Sequence, residues 1–209
     1  MSLIGSGNHS GDPSGRELFV VEGLSAANAL SSVRDRRCQF VLPMQGKIPN
    51  ANRTNIVKLL QHPQVGELLR SIHPERRVET PMTDFSFERV ILLGDPDGDG
   101  LHATLLLVLF LSTRVPALAE QGRLYMVRAP LFGFFNNDEC VALAYTDKQA
   151  TSVAAELAEK YSAQPAKRRF KGVASLDENL RRSLLNQHNP ARHQLSTVDC
   201  EHLCQPIIR

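Results

Sequence analysis

The chain has 209 residues, of which 42% are hydrophobic and 22% charged, with a formal net charge of +2. That composition excludes a disordered or fibrous chain and allows one domain with an appendage and a sizeable core. The charge is too small to argue for nucleic acid or membrane by itself, so any such surface must come from local clustering.

The opening "MSLIGSGNHSGDPSG" is rich in Gly and Ser and reads as a disordered lead over residues 1–15, in part an artificial extension. "ELFVVEG" (17–23) reads as a buried strand ending in an acid and a glycine. "LSAANALSSV" has helical spacing and runs into the charged "RDRR" (34–37), and "CQFVLPM" reads as a second strand carrying Pro43. "RTNIVKLLQHPQVGELLRSI" is helical with an interruption at Pro63, and "RVETPMTDFS" (77–86) reads as loop. "ERVILLGD" is a third strand that again ends in an acid, and "LHATLLLVLFLSTRVPAL" is a helix apolar on almost every side, hence buried. Its run Leu101–Leu111 is only about half the ~20 residues that span a bilayer.

"RLYMVRAPLFGFF" and "ECVALAYT" read as two β runs around the turn Asn136-Asn137-Asp138. Thr146 and Gln149 have capping-box spacing at the start of "DKQATSVAAELAEKY". The basic "AKRRFKG" reads as loop, and a last helix falls near 176–185. Strand and helix alternate through the first two-thirds, which predicts an α/β fold with a parallel sheet covered on both faces. The four cysteines, Cys38, Cys140, Cys200 and Cys204, are scattered and no signal peptide precedes them, so reduced thiols and a cytoplasmic location are expected.

"GDPDGDG" places Asp95, Asp97 and Asp99 on alternate residues directly after a predicted strand. Ligands of open α/β sheets bind beyond the carboxyl ends of strands. If the strand ending in Glu22 is a neighbour, four carboxylates converge, and an all-oxygen set of that kind suits Mg²⁺ or Mn²⁺. Two plainer readings compete. An EF-hand loop matches through Gly100, but its twelfth position is Leu106 rather than glutamate, and a strand precedes it where a helix is needed. A solvated acidic turn that binds nothing is the other. Cys200, His202 and Cys204, with His193 nearby, do not have the spacing of zinc knuckles.

A strand ending in Glu-Gly, followed far downstream by one ending in Asp-x-Asp-x-Asp-Gly, resembles the Toprim domain of topoisomerases, primases and some nucleases. "VEGLSAANALSSVRDRRCQFVLPMQGKIPNANR", "GDPDGDGLHATLLLVLFL", "GRLYMVRAPLFGF", "RFKGVASLDENLR" and "NPARHQL" together resemble the B subunits of type IIA topoisomerases, the gyrase B and topoisomerase IV B group. The match runs in register from Glu17 to Leu195. It departs at Leu24, where that group has Asp, at Gln45, where a basic residue is commoner, and in "FKGVASL", where the group has "YKGLGEM". The chain therefore resembles a divergent member.

The resemblance implies a Rossmann-like Toprim body over 16–130 and a smaller α+β tail over 131–209. It implies Mg²⁺-dependent cleavage and religation of double-stranded DNA with an A subunit that brings the reactive tyrosine. Glu22, Asp95 and Asp97 would hold the metal at the scissile phosphate, Asp97 and Asp99 a second position, and Glu22 would act as general acid or base. Lys47 and Asn50 would contact phosphate, with Arg36, Arg37 and Lys171 as further DNA contacts; Arg34, Arg36 and Arg37 read equally well as structural residues around Asp35. His102 and Gly100 would support the acids from behind.

The ATP-hydrolysing region of such B subunits is absent from this chain, as is any glycine-rich nucleotide loop, and Tyr125, Tyr145 and Tyr161 fall in predicted elements. The isolated chain is expected to be inactive, and a fragment of a longer protein is favoured over a free-standing relative. A non-catalytic module that binds DNA or another subunit and a free-standing Toprim nuclease are the alternatives.

Overall fold

The computed structural model describes residues 3–5, 14–73 and 85–208. Most of the expected N-terminal lead and of the 77–86 loop lies outside the described residues. The Toprim-like part begins with β1 (Glu17–Glu22), α1 (Gly23–Ser31) and β2 (Gln39–Met44), followed by α2 (Ile56–Gln61) and α3 (Pro63–Ile72). Then come β3 (Arg89–Leu93), α4 (Gly98–Arg114), the short α5 (Ala117–Glu120) and β4 (Leu124–Val127). The chain continues through β5 (Phe132–Asn136), β6 (Glu139–Ala144), α6 (Asp147–Lys160), β7 (Ala166–Arg169), α7 (Glu178–Leu185), β8 (Arg192–Gln194) and α8 (Thr197–Ile208).

The main sheet has the order β2-β1-β3-β4-β8; its first four strands are parallel and β8 is antiparallel to β4. Strand residues alternate between two cores. Leu18, Val20, Val90 and Leu92 face α2, α3, α4 and α8, while Phe19, Val21, Ile91 and Leu93 face α1 and α7. Burial on both faces is why these strands read as continuous apolar runs rather than alternating ones. Alpha-4 is apolar nearly all round because it lies in the first of those cores, with α8 packed against it. At the edge of β2, Ile4 exchanges backbone hydrogen bonds with Val41, at 2.8 and 3.1 Å.

The tail adds a three-stranded antiparallel sheet, β6-β5-β7, packed on α6 through Phe132, Phe134, Ala150 and Leu157. Thr146 caps α6, accepting from the Gln149 amide at 3.1 Å, and the Gln149 side chain returns to the amide of Tyr145 at 2.8 Å. The tail also completes the main sheet with β8 and covers it with α8, so the two parts share a core.

Several elements differ from the sequence expectation, among them β8, where no strand is expected, and the break at Val115 that divides α4 from α5. "RLYMVRAPLFGFF" is two strands in two sheets, divided by the segment 128–131. "AKRR" is a strand although all its side chains are exposed, because its backbone pairs with β5 and its cations lie over aromatic rings, Lys167 over Phe132 and Arg168 over Phe135. The C-terminal helix α8 has no counterpart in the sequence reading; Cys200 and Cys204, one turn apart, are its buried face.

Candidate active site

The two acid-bearing strands are neighbours. Register between β1 and β3 pairs Val21 with Leu93, which puts Glu22 beside Gly94, one residue before Asp95. Both strands are parallel, so their carboxyl ends share one edge, and the helices that follow start there. Gly23 has φ +76°, a conformation that favours glycine, and it turns the chain from β1 directly into α1. Asp97 caps α4 by accepting from the Gly100 amide at 2.8 Å, and Asp99 lies in the first turn, where helix polarity favours negative charge. Gly100 is needed for space rather than for a turn: a Cβ there would meet the Asp95 carbonyl oxygen and lie 2.7 Å from its amide nitrogen.

The four carboxylates sit in different surroundings. Glu22 is partly buried, and its Oε2 is buried with no hydrogen-bond partner among the described residues. Burial and then the charges of Asp95 and Asp97 push its pKa up, an Asp95 backbone hydrogen bond offsets part of this, and Asp99 adds to the rise. Asp95 is also raised, first by burial; the amide of Val173, from which it accepts at 2.9 Å, works against that. Asp99 is exposed and held low by Lys47, whose Nζ lies 2.7 Å from its Oδ1.

Among the described residues no group of three or more His, Cys, Asp or Glu side chains is close enough together to hold a metal ion. Three of the acids already have partners within the chain: Val173 engages Asp95, the Gly100 amide of α4 engages Asp97, and Lys47 engages Asp99. The donor set nevertheless fits a hard divalent cation. It is all oxygen, the charges of Asp95 and Asp97 add to the effect of burial in raising Glu22, and one buried carboxylate oxygen has no partner among the described residues. Beneath the edge is a cavity of about 10 Å³ lined by Glu22, Met44, Gly46, Gly94 and Thr104, room for about one water.

The sequence candidates divide by position. Lys47 reaches the acidic edge through Asp99. His102 is exposed on the first turn of α4 and its charge is felt by Asp99. Lys171 is exposed and adjoins the Gly172–Val173 segment that touches Asp95. Asn50 is engaged within the chain at both ends of its amide, donating to the Ile207 carbonyl of α8 and accepting from the Asn52 amide, each at 2.9 Å. Arg36 and Arg37 lie between α1 and the start of β2, at the opposite end of the parallel strands. Six residues at about 3.3 Å each put roughly 15–20 Å between the two ends. Arg37 is paired there with Asp35 through two hydrogen bonds of 3.1 and 2.8 Å, which hold the Asp35 carboxyl down at about 2.

The contact of Gly172 and Val173 with Asp95 was not legible in the sequence. A Cβ on Gly172 would stand 2.7, 2.8 and 2.9 Å from the Oδ2, Oδ1 and Cγ of Asp95. The "FKG" motif marked the segment, but nothing local marks what it touches.

An acidic edge built from a Glu-Gly strand end and an Asp-x-Asp-x-Asp turn, on a parallel sheet of this order, defines a Toprim domain. The family model of the Toprim domain matches residues 17–129, and the chain belongs to that family. The chain is 31% identical over 162 residues to the DNA gyrase B subunit of Metamycoplasma hominis, covering 78% of this chain and 24% of that protein. It is 28% identical over 193 residues to the DNA gyrase B subunit of Streptomyces coelicolor, covering 91% and 28%. With the DNA topoisomerase 4 B subunit of Bacillus subtilis it shares 26% over 171 residues, covering 80% and 26%. The chain thus spans about a quarter of the length of these relatives and is a divergent module of their kind. Its fold superimposes on the Plasmodium falciparum topoisomerase II DNA-binding, cleavage and re-ligation domain with a TM-score of 0.73 at 16% identity, over 91% of this chain and 26% of that one. Among the described residues no helix is long and apolar enough to cross a membrane.

Proposed function

We propose that this chain is the metal-binding part of a type IIA topoisomerase B subunit in the cytoplasm, and that it supports cleavage and religation of double-stranded DNA with a tyrosine-bearing A subunit. The observation that carries the reading is Glu22: a carboxylate with a buried, unpartnered oxygen among the described residues, surrounded by Asp95, Asp97 and Asp99. Residues 16–130 form the Toprim body and 131–209 the tail. Glu22, Asp95 and Asp97 would hold Mg²⁺, with Mn²⁺ as a substitute, and Asp97 with Asp99 a second position. When bound, the metal stabilises negative charge on the oxygens of an in-line phosphoryl transfer. Glu22, whose pKa burial and then the neighbouring acids push up, would take a proton from an attacking hydroxyl or return one to a leaving hydroxyl. Lys47, already at the edge, moves from Asp99 to a DNA phosphate, and Lys171 and His102 flank the same edge. Arg36 and Arg37, at the far end, contact DNA only where it wraps the molecule.

Calorimetry with Mn²⁺ tests the reading directly. Binding is expected for the native chain and is lost in Glu22→Gln and Asp97→Asn; cleavage is expected to return when an A subunit is supplied. No binding by the native chain, together with no cleavage on reconstitution, removes this reading.

A second reading is favoured by the partners already engaged at Asp95, Asp97 and Asp99. In it the chain is a module that binds DNA or another subunit, and its acids serve structure. It predicts partner binding that Glu22→Gln leaves unchanged.

A further inference from the structure

The acidic edge is not completed by the Toprim strands alone. The segment Phe170–Ser175 of the tail reaches it from 78 residues further along the chain, as the hydrogen bond from the Val173 amide to Asp95 Oδ1 at 2.9 Å shows. We infer that this segment is a seat for the Asp95 carboxylate, and that Gly172 and Val173 are positioning residues for the chemistry of the acidic edge. This rests on the metal-binding reading proposed above.

Three observations carry it. First, the fit is close on the face of Gly172. A Cβ there would fall within 2.9 Å of three atoms of the Asp95 carboxylate. The backbone at Gly172 is extended, with φ −178° and ψ 174°, a conformation open to any residue. The glycine is therefore demanded by the carboxylate in front of it and not by the turn.

Second, the segment is braced against movement. The Ser175 hydroxyl accepts from the amides of Lys171 and Gly172 at 3.1 and 3.3 Å and donates to the Gly172 carbonyl at 2.7 Å. Phe170 packs edge-on to Phe135 of the tail sheet, with ring centroids 6.4 Å apart. Val173 and Leu176 are buried with Ala26, Ala27 and Leu30 of α1, the helix that starts directly after Glu22. The seat is thus anchored both to the tail and to the helix beside the other key acid.

Third, the bond orients what it holds. A carboxylate in the open could adopt several rotamers. With Oδ1 fixed on the Val173 amide and the Gly172 face closing one side, the group is held in one orientation before any ligand arrives, as partners behind metal ligands do elsewhere. The same arrangement makes the site dependent on the docking of the tail: displacing Phe170–Ser175 would free Asp95 without touching the Toprim strands.

The test uses the full chain and Gly172→Ala, alone and combined with Asp95→Ala, measured by thermal unfolding and by Mn²⁺ titration followed by electron paramagnetic resonance. Gly172→Ala is expected to weaken Mn²⁺ binding by about 10- to 100-fold in protein that remains folded. Its effect on the melting temperature is expected to vanish in the Asp95→Ala background, where no carboxylate stands against the added methyl group. If Gly172→Ala does not fold, Ser175→Ala, which loosens the brace without a collision, carries the same expectation for Mn²⁺ binding at smaller amplitude. Equal Mn²⁺ affinity in native and Gly172→Ala chains, or an equal melting-temperature cost with and without Asp95, overturns the seat. Absence of Mn²⁺ binding by the native chain overturns the metal reading instead, and the melting-temperature cycle still decides the contact.

Discussion

Strand β1 carries a glutamate at each end, and the two are treated in opposite ways. Glu17 is buried and surrounded by partners: Arg192 at 2.5 Å, Arg89 at 3.4 Å, and the Gln39 amide at 2.9 Å. These come from β8, β3 and β2, so one carboxylate ties together four strands of the main sheet. Arg192 also lies over the rings of Phe19 and Tyr125. Glu22, five residues on, has an orphaned oxygen and, among the described residues, acids for charged neighbours. A buried carboxylate with cationic partners holds a fold together; one among like charges costs stability and is kept for what it can bind. The same sheet supplies both ends, and the difference separates structure from function along a single strand.

Removing each carboxylate in turn separates the two roles. Glu17→Ala leaves the nearly fully buried Arg192 without its carboxylate, and breaking such a pair costs about 3–5 kcal/mol. Glu22→Gln removes repulsion and keeps an amide oxygen for the Asp95 backbone hydrogen bond, so its stability from urea unfolding should stay within about 1 kcal/mol of native. Urea unfolding monitored by circular dichroism reads both. Equal losses would show that the acidic edge is structural after all.

How much of this could be read from sequence follows the same line. Beta-1, β2, β3 and α4 were legible because burial on both faces leaves apolar runs, and the acids that end them stand out against those runs. The pairing of Glu22 with the aspartate turn followed from strand adjacency, which a parallel α/β pattern makes an ordinary outcome. What was hidden depends on contacts far apart in the chain. Beta-7 shows only Ala, Lys and Arg, and is a strand because β5 lies beside it. The role of Gly172 depends on Asp95, and that of Asn50 on the Ile207 carbonyl of α8. The Glu17 network draws on residues from both halves of the chain, and none of its members has a local signature.

Helix α8 carries buried ionisable groups of another kind. Cys200 and Cys204 are buried, and burial, followed by nearby acids for Cys200 and by Cys200 for Cys204, pushes each thiol from 9.0 up to about 11. A group whose pKa is raised on folding contributes its stability fully below the unfolded value and loses it as pH rises through the folded one. Alpha-8 is therefore expected to hold at pH 8 and to loosen between about pH 9 and 11. Hydrogen exchange or thermal melts across that window, with Cys200→Ala and Cys204→Ala as comparison, read the effect. A native melting temperature that does not fall faster than that of the double variant in this window would remove the argument.

The smallest expected change in stability distinguishes the two ends by DNA binding instead. The Lys47–Asp99 pair is exposed, and exposed pairs add little to stability, so Lys47→Ala should leave the unfolding midpoint in place. If Lys47 leaves Asp99 for a phosphate, the same variant weakens duplex binding uniformly across sequences and reduces the slope of log affinity against log salt by about 1. Arg37→Ala is the control at the other end of the sheet. Its guanidinium is held by Asp35, and it lies away from the acids, so its salt slope should match the native chain. Fluorescence anisotropy with a labelled duplex at several salt concentrations reads both. A slope lowered by Arg37→Ala and unchanged by Lys47→Ala would move the DNA path to the far end of the strands and detach it from the acidic edge. The expected pattern places the duplex over Glu22 and the aspartate turn, where the buried Oε2 of Glu22 stands without a partner among the described residues.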